Sequence, residues 1–247
     1  MIEYIHDGTF EGLLTAVYHA FRHGGDCTIS RAGAHAPNLL DEPVTVEPSE
    51  ELFDRVYRGI KRRMGFETLK NVYYLHLSEA RGVDALILEY LRLAAKRGPR
   101  VNLAKNQDTI LKVDRYVRQV GHEAHRFTGF LRFTRVAPRQ FYAAIEPDHN
   151  ILPLIAGHFT RRFSDQCFII HDLKRESAAL YNLNEVVMAG MTREQGDRLQ
   201  QHTCDESFDR LWREFYQAVN IEERRNESLR RQLLPRRYWK HLTELME

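Results

Sequence analysis

Residues 130–145 read FLRFTRVAPRQFYAAI and mark the point at which the chain changes character. Phe130, Leu131 and Phe133, and then Phe141 to Ile145, alternate or cluster in the way that is typical of β-strands. Between these two runs, Ala137-Pro138 predicts a turn. We therefore expect a strand pair here, which begins a sheet in the second half of the chain.

The region before this stretch is mainly helical by its hydrophobic spacing. Met1 to His6 predicts a short strand, Thr9 is placed to cap a helix over Phe10–His23, and Gly24-Gly25 ends that helix. Residues 30–49 predict a loop with one short strand at Val44–Val46. Four further helices are expected near 49–63, 66–79, 82–97 and 105–126, the third of them stopped by Gly98-Pro99. This middle region is typical of a helical bundle.

The region after residue 145 mixes strands and helices. Further strands are predicted at Cys167–His171, Ala178–Leu183 and Glu185–Met188. Helices are predicted from Asp148 or Asn150 through Phe163, after Thr192, over Glu206–Ile221 and over 225–246 with a bend at Pro235. Because strands and helices do not alternate strictly, the order favours an α+β fold: a helical bundle followed by a mixed, largely antiparallel sheet with packed helices. We expect one family domain over 1–247, with a mainly helical half, 1–126, and a sheet-plus-helix half, 127–247, that ends in a basic helix.

Composition excludes several classes of protein. The chain has 247 residues, of which 43% are hydrophobic and 28% charged, so it is not a disordered or low-complexity chain. No apolar run approaches the roughly 20 residues that span a bilayer, and the N-terminus does not read as a secretory signal. The three cysteines lie far apart, which argues against a disulfide framework or a thiolate zinc site. These features predict a cytoplasmic protein without a membrane partner.

Charge is distributed unevenly along the chain. Residues 1–54 carry a net charge of −8, and the remainder carries +10. The basic excess lies in clusters at 58–63, 132–139, 161–162 and 224–240. Arginine clusters suit phosphate contacts because the guanidinium fork can bond two phosphate oxygens. The alternative is a solvated surface on which arginines pair with carboxylates such as Glu222, Glu223 and Glu227.

Aromatic residues interleave with the basic ones, as base stacking combined with phosphate contact requires. The alternative is that the aromatic rings fill the core while the arginines face water, and we favour this for Phe127, Phe130 and Phe133. Tyr238 and Trp239 are the candidates for stacking on bases. The predicted phosphate contacts are Arg126, Arg132, Arg161, Arg162, Arg236, Arg237 and Lys240.

A second polar constellation consists of His125, Glu146, Asp148 and His149. Histidines and carboxylates so clustered can form an acid/base pair, and these four are the candidate catalytic residues. His122 and His125 are three residues apart and could share a metal, but their spacing matches no established motif. We therefore predict no bound metal. The absence of a GxGxxG or P-loop pattern predicts no nucleotide cofactor, and the absence of GxSxG leaves serine hydrolysis without support.

Four segments carry a resemblance to a known family. They are residues 7–14 (DGTFEGLL), 125–133 (HRFTGFLRF), 145–154 (IEPDHNILPL) and 235–242 (PRRYWKHL). On these the chain resembles a bacterial family of DNA-metabolism and DNA-repair proteins that is classed as a domain of unknown function. The resemblance implies a radical-SAM protein encoded beside it as a partner, and in some bacteria a fusion to a uracil-DNA glycosylase-like domain. It implies no catalytic residues, and without a three-cysteine cluster any iron–sulfur chemistry belongs to the partner.

The sequence therefore leads to three hypotheses. The first is an accessory protein that binds DNA and works with a radical-SAM partner on modified or damaged DNA. The second is an enzyme in its own right, a glycosylase- or nuclease-like hydrolase, with or without a metal. The third is a protein-interaction module that does not touch nucleic acid.

Overall fold

The structure is a computed structural model that describes residues 1–34, 41–201, 234 and 236–242. The chain divides into two compact units, Met1–Gly121 and His122–Glu247. The α+β class predicted from the sequence is confirmed, because helices and strands are present in both units and the sheet of the second unit is mixed.

Unit 1 is built on a three-stranded parallel sheet that the sequence only partly predicted. Its strands are β1 (Ile2–His6), β2 (Cys27–Arg31) and β3 (Glu42–Val46), in the order β2-β1-β3. His6, the last residue of β1, pairs with Arg31 of β2 and Val46 of β3, so the carboxyl ends of all three strands lie together. Strand β2 was not predicted, because the alternation of apolar and polar residues over only five positions is too short to indicate a strand.

Helix α1 (Phe10–His23) follows β1 and has the bounds that the sequence predicted. The Thr9 hydroxyl accepts a hydrogen bond from the Gly12 amide at 2.9 Å, which satisfies one of the free N–H groups of the first turn. Gly24 ends the helix with a φ of 67°, a left-handed conformation that glycine adopts without steric cost.

The remaining helices of unit 1 agree closely with their predicted positions. They are α2 (Glu50–Arg63), α3 (Phe66–Ser78) and α4 (Val83–Arg97), and a long helix, α5 (Asp108–Phe130), follows. Their apolar faces bury a core that includes Leu13, Val17, Leu75, Ile87 and Leu91. Burial of these side chains is the main stabilising term of the unit.

Unit 2 contains a five-stranded mixed sheet in the order β4-β5-β6-β7-β8. The strands are β4 (Thr134–Ala137), β5 (Gln140–Ile145), β6 (Cys167–Asp172), β7 (Ser177–Tyr181) and β8 (Val186–Gly190). All neighbours are antiparallel except β5 and β6, which are parallel. Helix α6 (Leu152–Arg162) connects this parallel pair, as a crossover connection requires.

Two boundary predictions in unit 2 are wrong. Helix α5 continues through Phe130 and strand β4 begins only at Thr134, so Phe130 to Phe133 do not form a strand. The Phe133 ring instead packs edge-on against Phe159, Phe163 and Phe168. An aromatic residue just after a helix can fill the core as well as one in a strand does. Helix α6 begins at Leu152 after Ile151, rather than at an Asp148 or Asn150 cap.

Helix α7 (Arg193–Gln201) begins as predicted after Thr192. The Gln195 amide donates to the Thr192 hydroxyl at 3.3 Å and the Gln195 side chain accepts from the Thr192 amide at 2.9 Å, a reciprocal capping box. Arg236–His241 form a 3-10 helix. The helix predicted over Glu206–Ile221 lies outside the described residues, and so do residues 225–233, the bend at Pro235 and residues 243–246 of the helix predicted over 225–246. The described part of that second prediction contains this 3-10 helix. No described helix has the length and apolar character needed to cross a membrane.

Candidate functional site

The two parallel strands of unit 2 bring two polar loops to one edge of the sheet. Ile145 at the end of β5 pairs with Asp172 at the end of β6, so residues 146–149 and 173–175 leave the sheet side by side. Open sheets with parallel strands bind ligands beyond the carboxyl ends of those strands. Three of the four predicted catalytic residues, Glu146, Asp148 and His149, lie in the first of these loops.

A buried carboxylate holds the 146–149 loop by its backbone. The two oxygens of Glu123 accept hydrogen bonds from the Asp148 and His149 amides, both at 2.8 Å. The Tyr238 hydroxyl donates a third hydrogen bond to Glu123 Oε1 at 2.6 Å. Glu123 is 6% exposed and Tyr238 is 3% exposed, so water does not replace these bonds. Charge-assisted hydrogen bonds of this kind fix a loop more firmly than neutral ones.

The second loop supports the first from the β6 side. The Arg175 guanidinium donates to the Asp172 carboxylate at 2.8 Å and to the Asp148 carbonyl at 2.8 Å. Lys174 Nζ donates to the same carbonyl at 3.1 Å. Burial raises the pKa of Asp172, and the ion pair with Arg175 opposes this increase. Residues from both strands thus fix the path of the Asp148 backbone.

The predicted catalytic side chains differ in their placement. Glu146 pairs with Arg193 at 3.4 Å, Asp148 is exposed and His149 is half-buried. His125 is exposed on α5, two residues beyond Glu123 and therefore about 200° around the helix from it. The structure therefore brings Glu146, Asp148 and His149 into one loop, whereas His125 lies on the face of α5 that points away from Glu123. The described residues include no group of three or more His, Cys, Asp or Glu side chains that could hold a metal ion.

Tyr238, one of the two predicted stacking residues, lies in the core. Its ring is buried and packs edge-on against Phe127 with ring centres 4.9 Å apart, and its hydroxyl is bonded to Glu123. At 3% exposure the ring presents no accessible face to a base in this structure. Trp239 is half-buried, and its indole N–H donates to the Leu234 carbonyl at 3.0 Å.

The predicted phosphate contacts fall into three groups. Arg161 and Arg162 are exposed in the last turn of α6, and Arg126 is half-exposed on α5. Arg132 is half-exposed and donates to the Gly129 carbonyl at 2.8 Å, which satisfies part of its guanidinium. The side chains of Arg236, Arg237 and Lys240 lie outside the part that the structure describes.

A buried hydrogen-bonded histidine in unit 2 was not predicted. The His171 side chain is 0% exposed, with Nε2 2.9 Å from the Met191 carbonyl and Nδ1 2.8 Å from the Tyr142 hydroxyl. A carbonyl only accepts, so Nε2 carries the proton and Tyr142 donates to Nδ1 of a neutral ring. Burial lowers the pKa of His171 and raises that of Tyr142 to about 12. This arrangement stabilises the contact between the sheet and α7.

Unit 1 contains a second polar cluster that sequence reasoning missed. It lies at the carboxyl edge of the parallel sheet, where Arg31 binds Asp84 of α4 through two hydrogen bonds and His6 Nε2 approaches Asp84 Oδ2 at 3.7 Å. His76, near the end of α3, is also buried, and its Nδ1 has no hydrogen-bond partner. The signal in the sequence was slight: His6 ends a predicted strand, and Asp84 lies in the first turn of a predicted helix.

The charges in this cluster are set by burial and by Arg31. Burial raises the pKa of Asp84, but the nearby His6 and the two hydrogen bonds from Arg31 outweigh it and hold this pKa at about 2. Burial, with the positive charge of Arg31, lowers the pKa of His76 to about 4. At neutral pH the cluster therefore holds an ionised Asp84 beside an uncharged His76. It is a pattern seen both at functional sites and in structural ion pairs.

Comparison with known families bears on both units. The model of a family described as a domain of unknown function, DUF4130, matches residues 81–244. The chain belongs to this family. The match confirms the resemblance to a domain of unknown function, and the DUF4130 segment includes Glu123, both loops of the β5–β6 edge and Asp84. His6 and Arg31 precede it. No curated protein matches the chain.

Proposed function

We propose that this DUF4130 protein binds nucleic acid and acts in DNA metabolism together with a radical-SAM protein. The DNA context and the partner are those that the family resemblance implies. The observation that carries the binding proposal is the state of Arg161 and Arg162, which are exposed and, within the described part of the chain, pair with no carboxylate. Two adjacent free guanidinium groups offer the bidentate donors that phosphate oxygens accept.

Binding to phosphates releases counterions, so the affinity should fall steeply as salt increases. We would measure the anisotropy of fluorescein-labelled duplex and single-stranded DNA from 50 to 200 mM salt with the full chain. The Arg161→Gln/Arg162→Gln variant should bind about tenfold more weakly and with a shallower salt slope. A matched control is Arg139→Gln/Arg198→Gln, because these arginines are also exposed but pair with Asp165 and Glu194.

Two outcomes contradict the proposal. If the wild-type protein does not bind DNA at 50 mM salt, Arg161 and Arg162 contact a protein partner or only solvent. If the control double variant loses as much affinity as the test variant, net charge rather than this pair explains binding. The radical-SAM partner is tested separately by co-elution of the two purified proteins in size-exclusion chromatography.

A second candidate function is an acid/base hydrolase that acts on a glycosidic or phosphodiester bond. The observation that favours it is the fixed 146–149 loop, in which Glu123 holds the backbone while the Asp148 side chain is exposed and the His149 side chain is half-buried. In this scheme Glu146 and His149 exchange the proton and Asp148 supports the developing charge. The loop lies where parallel strands commonly present catalytic groups.

Its test separates turnover from binding. Glu146→Gln and His149→Gln, made singly, should abolish base release or strand cleavage while DNA affinity changes less than twofold. Glu194→Gln removes a carboxylate from the exposed surface of α7 and is the matched control. A wild-type protein that releases no base and cuts no strand would exclude the enzyme. Variants that turn over at the wild-type rate would exclude Glu146 and His149 as the catalytic residues.

A further inference from the structure

Helices α1, α2 and α4 of unit 1 enclose a groove that the proposed function does not use. Its volume is about 590 Å³, which lies within the range of small-molecule sites. The floor is apolar and includes the buried side chains of Val17, Ile60 and Leu91. The groove is open to solvent along one side, so a ligand that is part of a longer chain can enter it.

A glycine in the middle of α2 keeps the groove deep. Gly59 lines the groove, and a Cβ placed on it would meet no atom within 4 Å. Glycine weakens a helix interior, because it increases the conformational entropy of the unfolded chain. Gly59 therefore costs helix stability although a larger residue would fit at this position. Its lack of a side chain leaves open the part of the groove that a side chain would fill.

The rim of the groove is strongly basic. Four arginines line it, Arg22, Arg55, Arg62 and Arg63, and no Asp or Glu does. All four are exposed, and in the described ranges none of them pairs with a carboxylate. Their neighbour Arg58, which does not line the groove, pairs with Asp54 at 2.5 Å. The unpaired guanidinium groups are thus concentrated on the groove side of α2.

Planar groups accompany these charges. The guanidinium carbons of Arg55 and Arg22 lie 5.4 and 5.9 Å from the centre of the Tyr18 ring, within cation–π distance. Phe21, one turn further along α1, lines the same groove and is 40% exposed. An exposed aromatic ring beside arginines is the combination that stacks a nucleobase and binds its phosphate.

We propose that this groove binds a nucleotide, free or as part of a single strand, with its phosphate on Arg62 and Arg63 and its base on Phe21. An acidic peptide would satisfy the arginines but would leave the aromatic surface without a planar partner. The proposal goes beyond the function proposed above, and it rests on residues of unit 1 alone. Either proposal can therefore fail without the other.

The first test removes charge from one side of α2 at a time. With fluorescein-labelled dT12 as the probe and the full chain at 100 mM salt, Arg62→Gln/Arg63→Gln should weaken binding at least tenfold. Arg58→Gln/Lys61→Gln removes the same charge from the same helix outside the groove and should change the affinity less than twofold. Equal losses in the two double variants would overturn the proposal.

The second test fills the groove without changing charge. Gly59→Leu should weaken dT12 binding at least tenfold while the urea midpoint of unfolding stays at or above that of the wild type. Gly59→Ala occupies little of the space and should keep the affinity within about twofold. Unchanged binding by a folded Gly59→Leu protein would overturn the proposal.

Competition identifies the ligand and separates the two proposals. Displacement of dT12 by ATP supports a free nucleotide, and displacement only by unlabelled dT12 supports a strand. Equal displacement by a poly-glutamate peptide, or tighter binding of duplex than of dT12, would overturn the groove proposal. If only Arg161→Gln/Arg162→Gln weakens dT12 binding, the groove proposal fails and the α6 proposal is supported. If only the groove variants weaken it, the α6 proposal fails and the groove proposal is supported.

Discussion

Arg31 and Asp84 form a two-point ion pair at the carboxyl edge of the parallel sheet, with an Nε–Oδ2 distance of 3.1 Å and an Nη2–Oδ1 distance of 3.0 Å. The pair joins the end of β2 to the first turn of α4. Asp84 is almost completely buried, so its charge depends on this partner and on His6. The ion pair therefore connects two elements that are 53 residues apart in the chain.

We expect Arg31→Ala to lower the free energy of unfolding by about 3 kcal/mol, because it leaves a buried carboxylate without its cation. Urea unfolding followed by circular dichroism measures the change. Arg58→Ala removes an exposed ion pair with Asp54 and should cost less than about 1 kcal/mol. Similar losses in the two variants would mean that Asp84 is more solvated than its burial indicates.

His76 should make stability depend on pH. Its pKa is about 4 in the folded protein, against the ordinary value of 6.5. Between pH 6.5 and 4, His76 is therefore protonated in the unfolded chain and mostly neutral in the folded chain. The free energy of unfolding consequently falls as the pH drops from 6.5 towards 4. The full contribution, on the order of 3 kcal/mol, is present above pH 6.5.

Urea midpoints at pH 7, 6, 5 and 4 measure this slope, and His76→Gln should flatten it. The stabilisation that comes from Asp84 is lost in a separate window, as the pH falls from 3.8 towards 2. A variant with the wild-type slope between pH 6.5 and 4 would show that other groups cause the dependence.

Glu123→Gln should loosen the 146–149 loop. The substitution removes the charge that strengthens the bonds from the Asp148 and His149 amides, and an amide group can accept through only one of its two terminal atoms. We expect a loss of about 2 kcal/mol and faster hydrogen exchange at these two amides. Tyr238→Phe removes one neutral donor and should cost about 1 kcal/mol. Unchanged exchange at both amides in Glu123→Gln would contradict this account.

Two helical glycines should respond to alanine with opposite signs. A Cβ on Gly196 would lie 2.5 Å from the Tyr142 hydroxyl and 2.7 Å from His171 Nδ1, and both of these side chains are buried. Gly196→Ala should therefore destabilise the protein by about 2 kcal/mol, although alanine favours helices. Gly59→Ala meets open space and should stabilise it by about 1 kcal/mol. Thermal unfolding of both variants measures the two signs, and a stabilised Gly196→Ala would contradict the packing.

Local signals were sufficient for most of the helices. The apolar spacing, the Thr9 cap and the breakers at Gly24 and Gly98-Pro99 act within one or two turns, so the sequence itself determines where α1 to α4 begin and end. The strand predicted at Phe130 to Phe133 is wrong because a short aromatic run is compatible with both a helix end and a strand. Only tertiary contacts determine which of the two forms.

The sequence alone determined the α+β class, the positions of the main helices, the uneven charge and the closeness of Glu146, Asp148 and His149 in one short segment, but not that this segment is a loop. Only the tertiary structure decided that β5 and β6 run parallel, that Glu123 holds that loop, and that His6, Arg31 and Asp84 meet. The physical reason is that helix signals repeat every few residues, whereas these contacts join segments that are far apart in the chain. Their pairing depends on burial and hydrogen bonding in the folded protein, which no local pattern encodes.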